Sequence, residues 1–201
     1  MKGLSDAQQE ALVVIAEALP EDAYLAGGVA VAARYGHRFS HDLDFFTVES
    51  DPEKLATALR EDRRVVVTNR AADTLYLEVG GVPVSILRHR YPLIAPRERI
   101  SAIPVLVASD VDLTAMKVHA IASRGAARDF WDLHVLLRGR GSTLADAIAE
   151  HAHRYPREDS GHVLRSLAYF GDADASPLPR GLNGARWAEI RGDFERWVRD
   201  V

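Results

Sequence analysis

The chain has 201 residues, a hydrophobic content of 47%, a charged content of 27% and a net charge of -4. That balance suits a globular chain with room for one good core or a catalytic domain with a helical appendage, and it argues against a surface that coats itself with nucleic acid. The absence of cysteine excludes disulfides, thiolate nucleophiles and cysteine-based zinc sites, and fits a reducing compartment.

The N-terminal stretch has no apolar run of membrane-spanning length and no signal-peptide pattern, so a cytoplasmic protein without a membrane partner is expected. Ser5 and Gln8 have the spacing of a capping box, and Leu12, Ile15, Ala16 and Leu19 follow helical periodicity up to Pro20. Ala23-Tyr24-Leu25 is a strand candidate stopped by Gly27-Gly28, and Val29 to Tyr35 reads as a short helix closed by Gly36. Residues 43 to 47 are β-prone. Asp51-Pro52 supplies a cap and a first-turn proline for a helix running to about Arg60.

Thr74 to Val79 and Val82 to Leu87 flank Gly80-Gly81, a hairpin signal. A two-residue turn sets Leu75, Leu77 and Val79 opposite Ile86, Val84 and Val82, leaving Tyr76, Glu78 and Ser85 on the other face. Beyond Pro92, Pro96 and Pro104 the pattern is helical. Asp110 is the expected cap of a helix from Val111 to Arg124, followed by helices over 128–137, 143–153, 160–170 and 185–200, with a loop at 171–184. The chemistry-bearing part is therefore expected over residues 1–108 as a mixed α/β core, with a helical region over 109–201.

The sharpest local feature is Gly27-Gly28 followed by Asp42-Leu43-Asp44 on a strand. Alternation puts Asp42 and Asp44 on one face, where two carboxylates repel unless a cation lies between them. A hard divalent ion such as Mg²⁺ or Mn²⁺ meets that need and shares its shell with phosphates, while paired glycines let backbone amides approach those phosphates. A solvated strand edge and a plain turn would account for either feature alone; the order strand, Gly-Gly, helix, Asp-x-Asp favours the metal site. Lys117, Arg124, Arg128, Asp129 and Asp132 form a second constellation, with Asp129 and Asp132 on one helical face. A lysine beside a triphosphate neutralises charge and a nearby carboxylate orients it or accepts a proton; an intramolecular Arg–Asp network is the bland alternative. His151 and His153, two apart near a helix end, give no zinc geometry without further ligands.

The segment YLAGGVAVAARYGHRFSHDLDFFT, residues 24–47, resembles the first motif of the AbiEii-type nucleotidyltransferase toxins of the DNA polymerase β-like superfamily. Residues 112–137, DLTAMKVHAIASRGAARDFWDLHVLL, resemble that family's later Lys and Arg-Asp-x-x-Asp-Leu motifs. The resemblance implies an α+β fold, a mixed sheet with helices followed by a helical C-terminal region, and Mg²⁺-dependent transfer of NMP from NTP to an RNA, such as tRNA, or to a protein hydroxyl. It implies phosphate binding by Gly27 and Gly28, approach of Ser40 to the nucleotide, metal binding by Asp42 and Asp44, triphosphate contact by Lys117 with Arg124 beside it, and a late acid from Asp129 or Asp132. A cognate antitoxin is the implied protein partner. Where such enzymes commonly carry a third carboxylate this chain has Val82-Pro83-Val84-Ser85-Ile86-Leu87, so either two acids suffice, or Glu78, whose alternative is a solvated hairpin residue, or an acid of the helical half such as Asp129 or Asp132 completes the site. The competing reading is a catalytically weak nucleotide-binding or partner-binding protein of the same fold.

Overall fold

The computed structural model describes residues 3–59, 62–101 and 103–201, which fall into two compact units: 1–92 with 96–108, and 93–95 with 109–201. In the first unit the described elements are α1 (Asp6–Ala16), β1 (Tyr24–Ala26), α2 (Gly27–Tyr35), β2 (Leu43–Thr47), α3 (Pro52–Leu59), β3 (Val65–Ala71), β4 (Thr74–Val79), β5 (Val82–Arg88), β6 (Glu98–Arg99) and β7 (Leu106–Val107). The strands join in one mixed sheet of order β3-β4-β5-β2-β1-β7-β6.

The β4–β5 hairpin has the expected register, Tyr76 opposite Ser85 and Glu78 opposite Pro83. Gly80 and Gly81 both adopt positive φ, 57° and 83°, as a two-residue turn matched to the strand twist requires. Leu75, Leu77, Val79, Val82, Val84 and Ile86 are all buried, so one sheet face is apolar throughout. β5 then pairs in parallel with β2, placing Asp44 opposite Ser85.

Sequence patterning did not anticipate β3, β6 or β7. Most of β3 beyond Val65 is exposed, and its ladder is interrupted between Val67 and Asn69, so it lacks an alternating apolar signature. β6 and β7 have two residues each, too few to show a period. The expected end of α3, Arg60, lies outside the described residues.

The second unit contains α4 (Asp110–Arg124), α5 (Ala127–Arg140), α6 (Leu144–Arg154), α7 (Ser160–Leu167), α8 (Gly171–Asp174) and α9 (Gly184–Arg199). Ser109, not Asp110, caps α4: its side chain accepts the Asp112 amide, and Asp110 is the first helical residue. Gly125 and Gly141, both left-handed, end α4 and α5. The segment 171–184, expected as a loop, opens with the one-turn helix α8. Phe130 centres the core of this unit, with the rings of Phe194, Phe170 and Trp187 at 5.1, 5.2 and 5.9 Å. Among the described residues no helix is long and apolar enough to cross a membrane.

Candidate functional site

Three local devices deliver the Asp42–Asp44 segment. Gln8, buried in α1, completes its capping box with Ser5 and also donates its side-chain amide to the carbonyls of Ser40 and His41, at 2.7 and 3.1 Å, fixing the approach to Asp42. β2 then alternates, burying Leu43, Phe45 and Thr47 and leaving Asp44 half-buried on the other face. Beyond the strand, Asp22 accepts the amides of Val48, Glu49 and Ser50 at 2.9–3.1 Å and the Ser50 hydroxyl at 2.5 Å. Burial raises the Asp22 pKa, but these donors outweigh it and hold the carboxyl below its ordinary value.

Asp42, one residue ahead of β2, and Asp44 line the same open cavity of about 310 Å³, together with Thr68, Tyr76, Pro83 and Ser85. Leu77 and Val84 complete the lining. The Ser85 hydroxyl donates to Asp44 Oδ1 at 2.6 Å. A transverse row Tyr76, Ser85, Asp44 therefore crosses β4, β5 and β2.

The glycine pair sits against these groups. Gly27 has φ 69°, and a Cβ built there would lie 2.6 Å from Asp44 Oδ2. A Cβ on Gly28 would lie 2.4 Å from an Arg38 guanidinium nitrogen and 2.6 Å from Ser40 Oγ. Only backbone fits between the start of α2 and these three side chains. The α2 N-cap is Ala26, which has no side-chain acceptor to occupy the first amides.

Glu78 is exposed, flanked by Pro83 and Val66, and is not among the residues lining the cavity. Among the described residues, Asp42, Asp44 and Glu78 do not form a three-carboxylate group with ligating atoms within 4.8 Å of one another. The residue level with Asp44 on the adjoining parallel strand is Ser85. All-oxygen donors, two of them carboxylates, suit a hard divalent ion, and the open cavity lies beside them.

In the second unit Lys117, Asp129 and Asp132 come together and are buried. The Lys117 ammonium lies 3.1 Å from Asp129 Oδ1 and 2.6 Å from Asp132 Oδ2. Arg124, half-exposed, donates through Nε and Nη2 to the two oxygens of Asp129 at 2.7 and 2.9 Å. Arg128, the other arginine of the constellation, is exposed. Arg124 lies one turn earlier, at the end of α4, where its fork meets the first turn of α5. Burial raises the Asp129 pKa, yet Lys117 and Arg124 together keep it below the ordinary value. Sequence reasoning missed Arg38 and Thr68 at the first site and gave Tyr76 only a place on the polar hairpin face; no local pattern aims Arg38 at Gly28.

The family model described as nucleotidyl transferase AbiEii toxin, type IV TA system, matches residues 11–92 and 65–200. The chain belongs to this AbiEii family. A protein of Aquifex aeolicus (strain VF5), the uncharacterized aq_aa25, is 35% identical over 210 residues, 100% of this chain and 98% of its own. Among solved structures, MenT4, a nucleotidyltransferase toxin from Mycobacterium tuberculosis H37Rv, superposes with a TM-score of 0.67 at 18% identity, over 97% of this chain and 82% of MenT4. The antibiotic-resistance factor ANT(2'')-Ia gives 0.57 at 16% identity, over 75% of this chain and 90% of its own. At such identities the likeness is one of fold, and it agrees with the α+β arrangement described above. The AbiEii chain is a nucleotidyltransferase.

Proposed function

We propose that this AbiEii protein is a cytoplasmic toxin that transfers NMP from an NTP to an RNA, with tRNA as the acceptor to test first, and that a cognate antitoxin restrains it. The observation that carries the reading is the seating of Asp44 against Gly27, with Asp42 lining the same open cavity. In this reading Asp42 and Asp44 hold a divalent ion, Mg²⁺ or Mn²⁺. The ion, when bound, neutralises phosphate charge and orients the triphosphate. Ser85 holds the Asp44 carboxylate in place through its 2.6 Å hydrogen bond. The uncapped amides of Gly27 and Gly28 receive phosphate oxygens, Ser40 donates to the nucleotide, and Arg38 adds positive charge beside them.

For Lys117, Arg124, Asp129 and Asp132 we propose the phosphate-side and late-acid roles that the family resemblance implies. Lys117→Met would strand two buried carboxylates as well as remove a charge, so Arg124→Gln is the cleaner probe. A lower NTP affinity in that variant, with a smaller loss of melting temperature than in Lys117→Met, is the expected result.

One observation favours the alternative, a protein that binds nucleotide without turning it over: Ser85 occupies the position level with Asp44, and a hydroxyl cannot supply a carboxylate's charge. Incubating the purified protein with Mg²⁺, each labelled NTP and total tRNA separates the two. Incorporation that disappears in Asp44→Ala supports the transferase. NTP binding without incorporation into tRNA, other RNA or protein would establish the alternative.

A further inference from the structure

Away from Asp42 and Asp44, three side chains from separate segments of the helical unit converge. His119 lies on α4, His151 in the last turn of α6, and Glu158 in the turn between α6 and α7. One ligating atom from each lies within 4.8 Å of the others. His119 Nδ1 is 2.7 Å from Glu158 Oε1, and His151 Nε2 is 3.0 Å from Glu158 Oε2. We propose that His119, His151 and Glu158 bind a divalent transition-metal ion, Zn²⁺ before others, leaving the fourth position to water.

The donor set selects the ion. Two imidazole nitrogens and one carboxylate suit a borderline-soft cation, whereas Mg²⁺ prefers oxygen throughout. Zinc bonds of ~2.0–2.2 Å set tetrahedral ligand atoms ~3.3–3.5 Å apart, so the two His–Glu separations need to open by less than about 1 Å. His119 Nδ1 is enclosed and, although close to Glu158, makes no hydrogen bond. An ion pair of two mobile groups would align itself; a lone pair aimed elsewhere leaves a coordination direction unused.

The ligands are also held ready. The His119 ring stacks on Tyr155 at 4.5 Å and 14°, and His151 contacts the same ring at 5.0 Å. The Glu158 amide donates to the Tyr155 carbonyl at 3.0 Å, fixing the turn that presents its carboxylate. A bound ion would tie α4, α6 and the α6–α7 turn together.

The test uses the untagged full-length chain, stripped with EDTA, and an Asp42→Ala/Asp44→Ala version that removes the other carboxylate site. Zn²⁺ is titrated calorimetrically and Co²⁺ by its visible absorption. Both proteins are expected to bind one equivalent of Zn²⁺ at this cluster, to give the intense spectrum of tetrahedral Co²⁺, and to melt higher with Zn²⁺ present. His119→Ala is expected to weaken binding by more than ~100-fold and to abolish the melting shift. Glu158→Gln, which keeps the shape of the side chain, is expected to weaken it in the same sense and guards against a folding defect in the first variant. Absence of saturable Zn²⁺ binding in the double-aspartate version would overturn the proposal, leaving an ion-free bridge of one carboxylate between two imidazoles. Binding that His119→Ala and Glu158→Gln both leave unchanged would overturn it equally.

Discussion

The two acidic clusters differ in what can reach them: one is buried and the other lines an open cavity. In the helical unit, Asp129 and Asp132 are buried and their charge is met inside the chain, by the Lys117 ammonium and by the fork of Arg124. In the sheet unit, Asp42 and Asp44 line an open cavity, and the neighbour level with Asp44 is Ser85, whose hydroxyl donates to it. A buried carboxylate must find its counter-charge in the sequence, because water cannot screen it. A carboxylate at an open cavity can take its counter-charge from solution, and so serve a ligand. The contrast leaves the sheet-unit pair accessible to a ligand, whereas the helical cluster's carboxylates meet cations within the chain, although spacing alone singled out both.

The largest effect that would break this contrast is on activity. Asp44→Ala is expected to reduce nucleotidyl transfer by more than ~100-fold, as loss of a direct metal ligand should exceed the 10–100-fold cost typical of outer-shell changes. The melting temperature should stay close to that of the parent. Transfer at parental rates would remove Asp44 from the chemistry; a collapse of the fold would place it with the structural acids.

Lys117→Met tests the other side. It leaves Asp129 and Asp132 buried with one cation fewer, a change expected to cost about 3–5 kcal/mol of folding stability. Urea unfolding measures this directly. A variant as stable as the parent would show that the cluster is not the electrostatic staple described here.

Much of this was legible in the sequence, for identifiable reasons. The hairpin register followed from period 2 and Gly80-Gly81, both local features. The constellation of Lys117, Asp129 and Asp132 stood out because helical spacing brings i and i+3 to one face. The parallel pairing of β2 with β5 was not legible, since no local pattern states which distant strand will lie alongside; that pairing is what sets Ser85 level with Asp44. The choice of Arg124 over Arg128 depends on how the turn at Gly125 directs α5 after α4. His151 was seen without its companions, because His119 and Glu158 come from other segments.

A smaller effect concerns acid stability in the helical unit. Burial raises the Asp193 pKa, but Arg138 and His134 donate to its carboxylate at 2.7 and 2.8 Å and bring it down to about 2, against an ordinary 3.8. Its folded form therefore favours the ionised state. The stabilisation is complete above pH 3.8 and is lost as pH falls through about 2. The stability gap between the parent and Asp193→Asn should be constant near neutrality and shrink across that window. Acid titrations of unfolding, followed by circular dichroism, give the gap directly, and one that does not narrow would assign the loss to packing rather than to charge.

The smallest expected effect is the most informative about the open site. Glu78 shares its sheet face with Tyr76 and Ser85 and pairs with Pro83, yet it is exposed and stands outside the lining of the cavity that holds Asp42 and Asp44. Were Glu78 the third ligand, its loss would raise the Mg²⁺ concentration needed for half-maximal transfer, because a carboxylate would leave the shell. With Ser85 already hydrogen-bonded to Asp44, the outer support of the pair is in place without it. Glu78→Gln is therefore expected to leave the Mg²⁺ requirement unchanged, while Ser85→Ala raises it and lowers transfer by roughly 10-fold, the lower end of the range for outer-shell groups. A raised requirement in Glu78→Gln would mean that the hairpin end closes over the metal when nucleotide binds, and the site would then contain three carboxylates.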